Sequence, residues 1–330
     1  MKIKVFGPED VDRTLSMAEA IDVVEGAFVQ LSLGKARSPV RTALDLQDEG
    51  EVALIMPAFL GEPMALGTKM VTVLPKNPEH GRPAVQALVM LFDVLTGRPS
   101  AIFEGTHLTC FRTGAATGAA TRVLSRPDCK SLALFGAGGQ AFFQVEGVWA
   151  ARNIRRVRIF DIIEARADSL VGLLKRSPFG REMEVLKASS PTEALAGADI
   201  VVTATNSNEP VFDGRDLREG VHLNAIGAFT PKMQEVDGET IRRSRVFVDS
   251  FEACLKEAGD LIIPLNKGLI QKSDILAELG EVIAGKKVGR RSPREVTFFK
   301  SVGNAVQDVA VAQAVLQKAE GKGFGREVEL

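Results

Sequence analysis

Apolar residues recur at helical spacing early in the chain, where Ile21, Val24, Phe28 and Leu31 follow Ser16-Met-Ala-Glu19 and Gly34 closes the run. The Ser-x-x-Glu spacing is a capping box, and it predicts an amphipathic helix from Ser16 to Gly34. Before it, Met1-Lys-Ile-Lys-Val-Phe6 has the pattern of a short strand. From Pro39 to Ala101 the period changes. Val52–Met56, Ala65–Val73 and Val85–Phe92 are short alternating or apolar runs separated by Gly and Pro, which predicts an antiparallel sheet. Thr109 to Leu124 is rich in Ala and Gly and reads as a tightly packed helix.

Beyond Pro127-Asp-Cys-Lys130, strand and helix patterns alternate. Strands are predicted at 131–135, 156–161, 183–187, 199–204, 221–226 and 245–249, and helices at 140–152, 164–175 and 191–196. Such alternation predicts an α/β fold with a doubly wound parallel sheet. The last stretch, Val296 to Ala305, enters an Ala/Val-rich helix running to about Lys318. That helix is too apolar for the surface and is expected to pack back onto the N-terminal part. At 330 residues the chain exceeds one ordinary core. Two domains are expected: an α+β domain from 1–126 and 300–330, and a parallel-sheet domain from 127–299.

The parallel-sheet region opens on Leu132-Ala-Leu-Phe-Gly-Ala-Gly-Gly-Gln-Ala141, an apolar strand running into Gly136-x-Gly138-x-x-Ala141 at the start of a helix. This is the pattern of a Rossmann-type dinucleotide turn. Gly136 permits the tight turn, Gly138 admits a pyrophosphate against the backbone, and Ala141 lets the helix lie close to the strand. A second strand, Val157-Arg-Ile-Phe-Asp161, ends in an acid 23 residues after Gly138, where a ribose-binding carboxylate belongs. Asp161 favours NAD(H), because a carboxylate repels a 2′-phosphate; Arg166, shortly after it, would soften that and admit NADP(H). Thr203 and Thr205 close the strand Ile200-Val-Val-Thr-Ala-Thr205 at the carboxyl edge, where cofactor contacts are made, although ordinary strand threonines fit the same pattern.

Composition narrows the chemistry. A net charge of −1 gives no bias toward nucleic acid, and no apolar run reaches the roughly 20 residues of a membrane span. The N-terminus lacks the hydrophobic region of a signal peptide, so a cytoplasmic location is expected. Cys110, Cys129 and Cys254 are scattered and read as buried thiols, and His80, His107 and His222 stand apart from one another, so no metal site is expected. The chain has no tyrosine, which excludes a phenol as proton donor and turns attention to lysine. The basic run Lys286 to Arg294 reads as a solvated loop.

Three cations stand out. Lys69 lies in Ala65-Leu-Gly-Thr-Lys-Met-Val-Thr-Val73, among apolar neighbours, so its ammonium either snorkels to solvent or enters a cavity, where its pKa would fall. Arg112 precedes the small-residue run Thr113–Ala120; at a helix N-terminus its charge would oppose the dipole and call for an anion, either a ligand or a nearby acid. Arg41 follows Ser38-Pro-Val and is the least distinctive. Glu257-Ala-Gly-Asp260 reads equally as a site-facing loop or a helix-ending turn.

In six segments the chain resembles the ornithine cyclodeaminase/mu-crystallin family: Gly67–Val71, Leu91–Pro99, Leu108–Ala116, Gly136–Gln140, Ala225–Ala228 and Phe299–Gly303. The resemblance covers nearly the whole chain. It implies that Arg41, Lys69 and Arg112 hold a substrate carboxylate around the reacting carbon. It also implies that Thr113 and Gln140 lie near cofactor phosphates, that Ser301 lies on the nicotinamide side, and that the N-terminal sheet forms a homodimer. Where cyclodeaminases of this family carry an aspartate after Ile-Gly-Gly or Ile-Gly-Ala, this chain has Phe229. Losing that carboxylate argues against cyclodeamination and toward members that reduce cyclic imino acids, whose ring an apolar side chain would suit. An alanine dehydrogenase-type reaction, a lyase and a non-catalytic nucleotide-binding role remain as alternatives.

Overall fold

The structure is a computed structural model that describes residues 1–46 and 50–329. The chain packs as two compact units, Met1–Arg112 with Asn304–Leu330, and Thr113–Gly303. The division falls inside the helix Gly105–Leu124 rather than after it. The helix's second half belongs with the nucleotide turn because Gly114 meets the helix Ala141–Ala151 backbone to backbone. A Cβ at Gly147 would come within 2.0 Å of the Gly114 carbonyl oxygen.

In the first unit the predicted helix forms over Met17–Ser32. Ser16 caps it, and the Glu19 carboxylate accepts the Ser16 N–H at 2.9 Å. The sheet runs in the order Arg326–Glu329, Lys2–Phe6, Pro99–Glu104, Val85–Phe92, Met64–Val73 and Val52–Gly61, and both Ala36–Arg37 and Thr42–Asp45 pair with the last. The pairing is antiparallel except between Lys2–Phe6 and Pro99–Glu104. The helix Ala305–Ala319 packs on strands Val52–Gly61, Met64–Val73 and Val85–Phe92 and on the helix Met17–Ser32, as its apolar composition predicts. Gly67 permits this approach, since a Cβ there would meet the Met90 carbonyl at 2.6 Å and Val309 at 3.0 Å.

The second unit holds eight parallel strands in the order Glu184–Lys187, Arg156–Phe160, Ser131–Phe135, Ile200–Thr203, His222–Ala225, Val296–Lys300, Ser244–Val248 and Ile275–Glu278. Leu132 and Leu134 feed one apolar cluster while Ala133 and Phe135 feed another. This is the period-two signature of a strand buried on both faces. The order reverses between Ser131–Phe135 and Ile200–Thr203, making the switch point beside which doubly wound sheets bind nucleotides.

Some elements go beyond those the pattern predicts, and one reading needs correction. The strand Ile275–Glu278 and the helices Phe251–Glu257 and Gly259–Asn266 carried no clear period in the sequence. Arg290, in the basic run, is not a solvated charge: its guanidinium donates to the carbonyls of Leu124 and Val221 and to Thr297, tying three segments together.

Candidate active site

Alternation along Met64–Val73 buries Ala65, Gly67, Lys69 and Val71 on the face that receives the helix Ala305–Ala319. Lys69 is therefore an inward lysine, 2% exposed, and does not snorkel. Its ammonium lies 2.9 Å from Asp308 Oδ2 and 3.0 Å from Oδ1. Arg112 donates from Nε to Asp308 Oδ1 at 2.9 Å and from Nη1 to Gln307 Oε1 at 2.6 Å. Burial, with Arg112 and Arg41 nearby, lowers the Lys69 pKa to about 8 against the opposing pull of Asp308. Burial alone would raise the Asp308 pKa, but Arg112 and Lys69 outweigh it and hold the carboxyl below its usual range. One carboxylate thus pairs with two cations, and the surplus charge on the three is positive. Half-buried Arg41 precedes the strand Thr42–Asp45 and contributes to that field. Burial pushes the Cys110 thiol up to about 11, so it sits beside these charges as a neutral group.

Arg112 does not stand at a helix N-terminus as its sequence setting predicts. The helix begins at Gly105, where Glu104 accepts the N–H groups of Thr106 and His107, and Arg112 lies about two turns in. Asp308, rather than the dipole, sets its environment. Sequence reasoning missed Asp308 and Gln307 because the helix around them reads as Ala/Val-rich core. The signal was an acid and an amide, adjacent in sequence, where only apolar residues were expected.

In the second unit the turn after Ser131–Phe135 has the required form. Gly136 takes φ +94°, and a Cβ there would meet the Ala204 carbonyl oxygen at 2.6 Å. At Gly138 and Gly139 an added Cβ would meet only open space, leaving room for phosphates against the backbone. Gln140 is the N-cap of the helix Ala141–Ala151, and Ala141 is buried. Asp161 ties the glycine turn to the end of the strand Arg156–Phe160: Oδ2 accepts the Ala137 N–H at 2.7 Å and Oδ1 the Ile163 N–H at 2.8 Å. These residues fit a dinucleotide with its pyrophosphate on the turn and its ribose beside Asp161.

The other candidate contacts lie in a helix and just at or past the ends of two strands. Thr113 is buried in the helix Gly105–Leu124, and Thr203 is buried with its hydroxyl unpartnered among the described residues. Thr205 donates from N and Oγ1 to Glu235, which also accepts the N–H groups of Gly227 and Ala228. Glu235 thereby fixes two loops, and sequence reasoning did not single it out. Phe229 follows that clamp, half-buried against the core of the second unit. Ser301 donates to buried Asp249 at 2.7 Å, while the N–H groups of Val302 and Gly303 converge on the same carboxylate. Asp260 opens a helix; it is fully buried, accepts the N–H groups of Glu235 and Val236, and pairs with Lys300 at 2.9 Å. Its segment ends the helix Phe251–Glu257 and starts the next, in keeping with the helix-ending turn.

Among the described residues, no group of three His, Cys, Asp or Glu side chains is arranged to hold a metal, and no helix is long and apolar enough to cross a membrane.

A parallel-sheet unit carrying a dinucleotide turn, in a chain whose first unit buries a lysine beside an arginine, defines a nicotinamide-nucleotide oxidoreductase. Residues 2–323 match the family model described as the ornithine cyclodeaminase/mu-crystallin family. The chain belongs to that family. It is 40% identical over 326 residues to a Δ1-pyrroline-2-carboxylate reductase of Bacillus cereus, covering 98% of this chain and 99% of the relative. Among solved structures it is similar to Thermococcus litoralis Δ1-pyrroline-2-carboxylate reductase in complex with NADH and L-proline, with TM-score 0.95, 40% identity and coverage of 99% of this chain and all of the other. An archaeal alanine dehydrogenase dimer with bound NAD matches with TM-score 0.91 and 36% identity over the full length of both chains.

Proposed function

We propose that the protein reduces a cyclic imino acid, Δ1-pyrroline-2-carboxylate or its six-membered analogue, to the L-amino acid with NADH. The observation that carries the reading is the buried Lys69, its pKa lowered to about 8, beside Arg112 in a site of surplus positive charge. Such a site attracts a carboxylate and can hold or give a proton close to neutral pH. The similarity to reductases of this substrate class supports the same reading.

In this reading Arg112 and Arg41 grip the carboxylate and fix the imine carbon, which lowers the barrier by several kcal/mol through orientation. Lys69 supplies or holds the proton on the imine nitrogen, because the protonated imine accepts hydride far more readily than the neutral one. Phe229 packs against the ring. Bound NADH supplies the hydride. Gly136, Gly138, Gln140 and Thr113 receive its phosphates, and Asp161 accepts from its ribose hydroxyls and disfavours NADPH. Thr203, Thr205 and Ser301 line the nicotinamide side.

The alternative is an alanine dehydrogenase-type reaction, supported by the similarity to the archaeal enzyme. A cyclodeaminase reading lacks its aspartate, Phe229 standing in that place. We further read the protein as a cytoplasmic homodimer formed through the first unit's sheet. Ile55, Met70 and Leu88 are directly paired across three strands and are 48%, 50% and 51% exposed, an apolar ladder of the kind that subunits cover.

Oxidation of NADH and NADPH with Δ1-pyrroline-2-carboxylate, run beside pyruvate plus ammonium, tests the reading. Much faster turnover of the cyclic imine is expected, with NADH preferred. Turnover of pyruvate and ammonium alone would replace the imine reductase with an amino-acid dehydrogenase.

A further inference from the structure

Asn304 and Gln307 are buried amides that the mechanism above leaves unused. Asn304 is 7% exposed and is the N-cap of the helix Ala305–Ala319. An asparagine there ordinarily accepts a first-turn N–H. This one makes no such bond, and neither its Oδ1 nor its Nδ2 has a hydrogen-bond partner among the described residues. Gln307, fully buried one turn on, accepts from Arg112 through Oε1, which fixes the orientation of its amide. Its Nε2 is then the outward donor, also unpartnered among the described residues. With Asp308, these residues lie three and four positions apart on one side of the helix, and Asp308 holds Lys69 and Arg112. Buried polar groups are almost always bonded, so two adjacent amides with open ends beside a cation cluster point to a ligand that completes them.

The open atoms define its chemistry. Gln307 offers a donor, which suits a carboxylate oxygen next to Arg112. Asn304 offers one donor and one acceptor side by side. A carboxylate alone cannot satisfy the acceptor, whereas a protonated cyclic 2-imino acid can. Its ring N–H and its carboxylate are attached to the same carbon and present a donor and an acceptor along one edge. We propose that Asn304 recognises that edge, with Oδ1 accepting the iminium N–H once Lys69 has released the proton to the nitrogen and Nδ2 donating to the carboxylate, while Gln307 Nε2 donates to the second carboxylate oxygen. This rests on the reductase reading above. The pair selects against 2-oxo acids, whose carbonyl oxygen would confront Asn304 Oδ1 with a second acceptor.

Asn304→Leu and Gln307→Met, each close in size to the native residue, test the assignment. Wild type and variants are compared for KM and kcat with Δ1-pyrroline-2-carboxylate, for L-proline binding in the presence of NAD+, and for NADH binding by fluorescence. Removing a bond of this kind is expected to raise KM and the L-proline dissociation constant about tenfold to hundredfold, leaving NADH affinity within about twofold. Weakened NADH binding with unchanged L-proline binding would assign the amides to the nucleotide and overturn the proposal, as would no change in either. If Asn304→Leu does not fold, Gln307→Met carries the same test on substrate affinity. A wild-type enzyme with no turnover of the imine removes the reductase reading and the proposal together; turnover in both variants at wild-type KM removes only the proposal.

Discussion

Lys69 in the first unit and Lys300 in the second are both buried, 2% and 0% exposed, and both pair with an aspartate at 2.9 Å. Burial lowers the pKa of each, yet the outcomes are opposite. Lys69 falls to about 8 because Arg112 and Arg41 add to desolvation. Lys300 rises because Asp260 and Glu235 together outweigh it. The neighbours, not the depth, decide which lysine can release a proton. Lys300 is locked as a cation holding Asp260, which in turn holds the Glu235 backbone and so the clamp on the Thr205 and Gly227 loops. Lys69 sits where positive charge is in excess and an incoming anion completes the balance.

Exchanging the two lysines for neutral residues should separate these roles. Lys69→Ala is expected to lower turnover about 10²- to 10⁴-fold with NADH affinity unchanged, read by steady-state kinetics and fluorescence titration. Near-normal turnover would remove Lys69 from the chemistry. Lys300→Met should act on stability instead, because it leaves two buried carboxylates without their cation. A loss of about 3–5 kcal/mol is expected in urea unfolding, and an unchanged midpoint would show that the triad is not held as described. Lys69→Ala should cost less stability than Lys300→Met, since Arg112 still pairs with Asp308.

Smaller effects sharpen the contrast at the edges. Asp161→Asn should weaken NADH binding about tenfold and narrow the preference over NADPH; a variant that binds both nucleotides as wild type does would place the ribose elsewhere. Met70→Glu, on the exposed side of the strand that carries Lys69, should change folding stability by no more than about 0.5 kcal/mol. It should shift the sedimentation coefficient from dimer to monomer, and a wild type already monomeric would remove the interface.

Much of the second unit was legible because its strands are buried on both faces and its turn is spelled in glycines: the strands from Ser131–Phe135 to Ile200–Thr203, the turn at Gly136 and the acid at Asp161 all follow from local pattern, whereas the order of the strands in the sheet does not. Ile275–Glu278 was not legible, since four residues carry too little period, and neither was Arg326–Glu329, a largely exposed strand defined only by its pairing with Lys2–Phe6. The cation site was half legible. Lys69 drew attention as a charge in an apolar strand, but its direction depended on which face receives the helix Ala305–Ala319, a long-range fact. Asp308, Asn304 and Gln307 were hidden by the composition of their helix, and Glu235 by a loop whose role appears only when Thr205 and Gly227 converge on it.

The most direct test of the contrast is the pH dependence of kcat/KM for imine reduction in wild type and Lys69→Arg. Lys69 acts as an ammonium, and its pKa lies near 8 rather than 10.5, so activity should be full below that value and fall as pH rises through it. A guanidinium stays charged throughout this range, so the alkaline limb should disappear from whatever activity Lys69→Arg retains. A wild-type profile flat to pH ~10, or the same limb in both proteins, would contradict the assignment of the poised proton to Lys69.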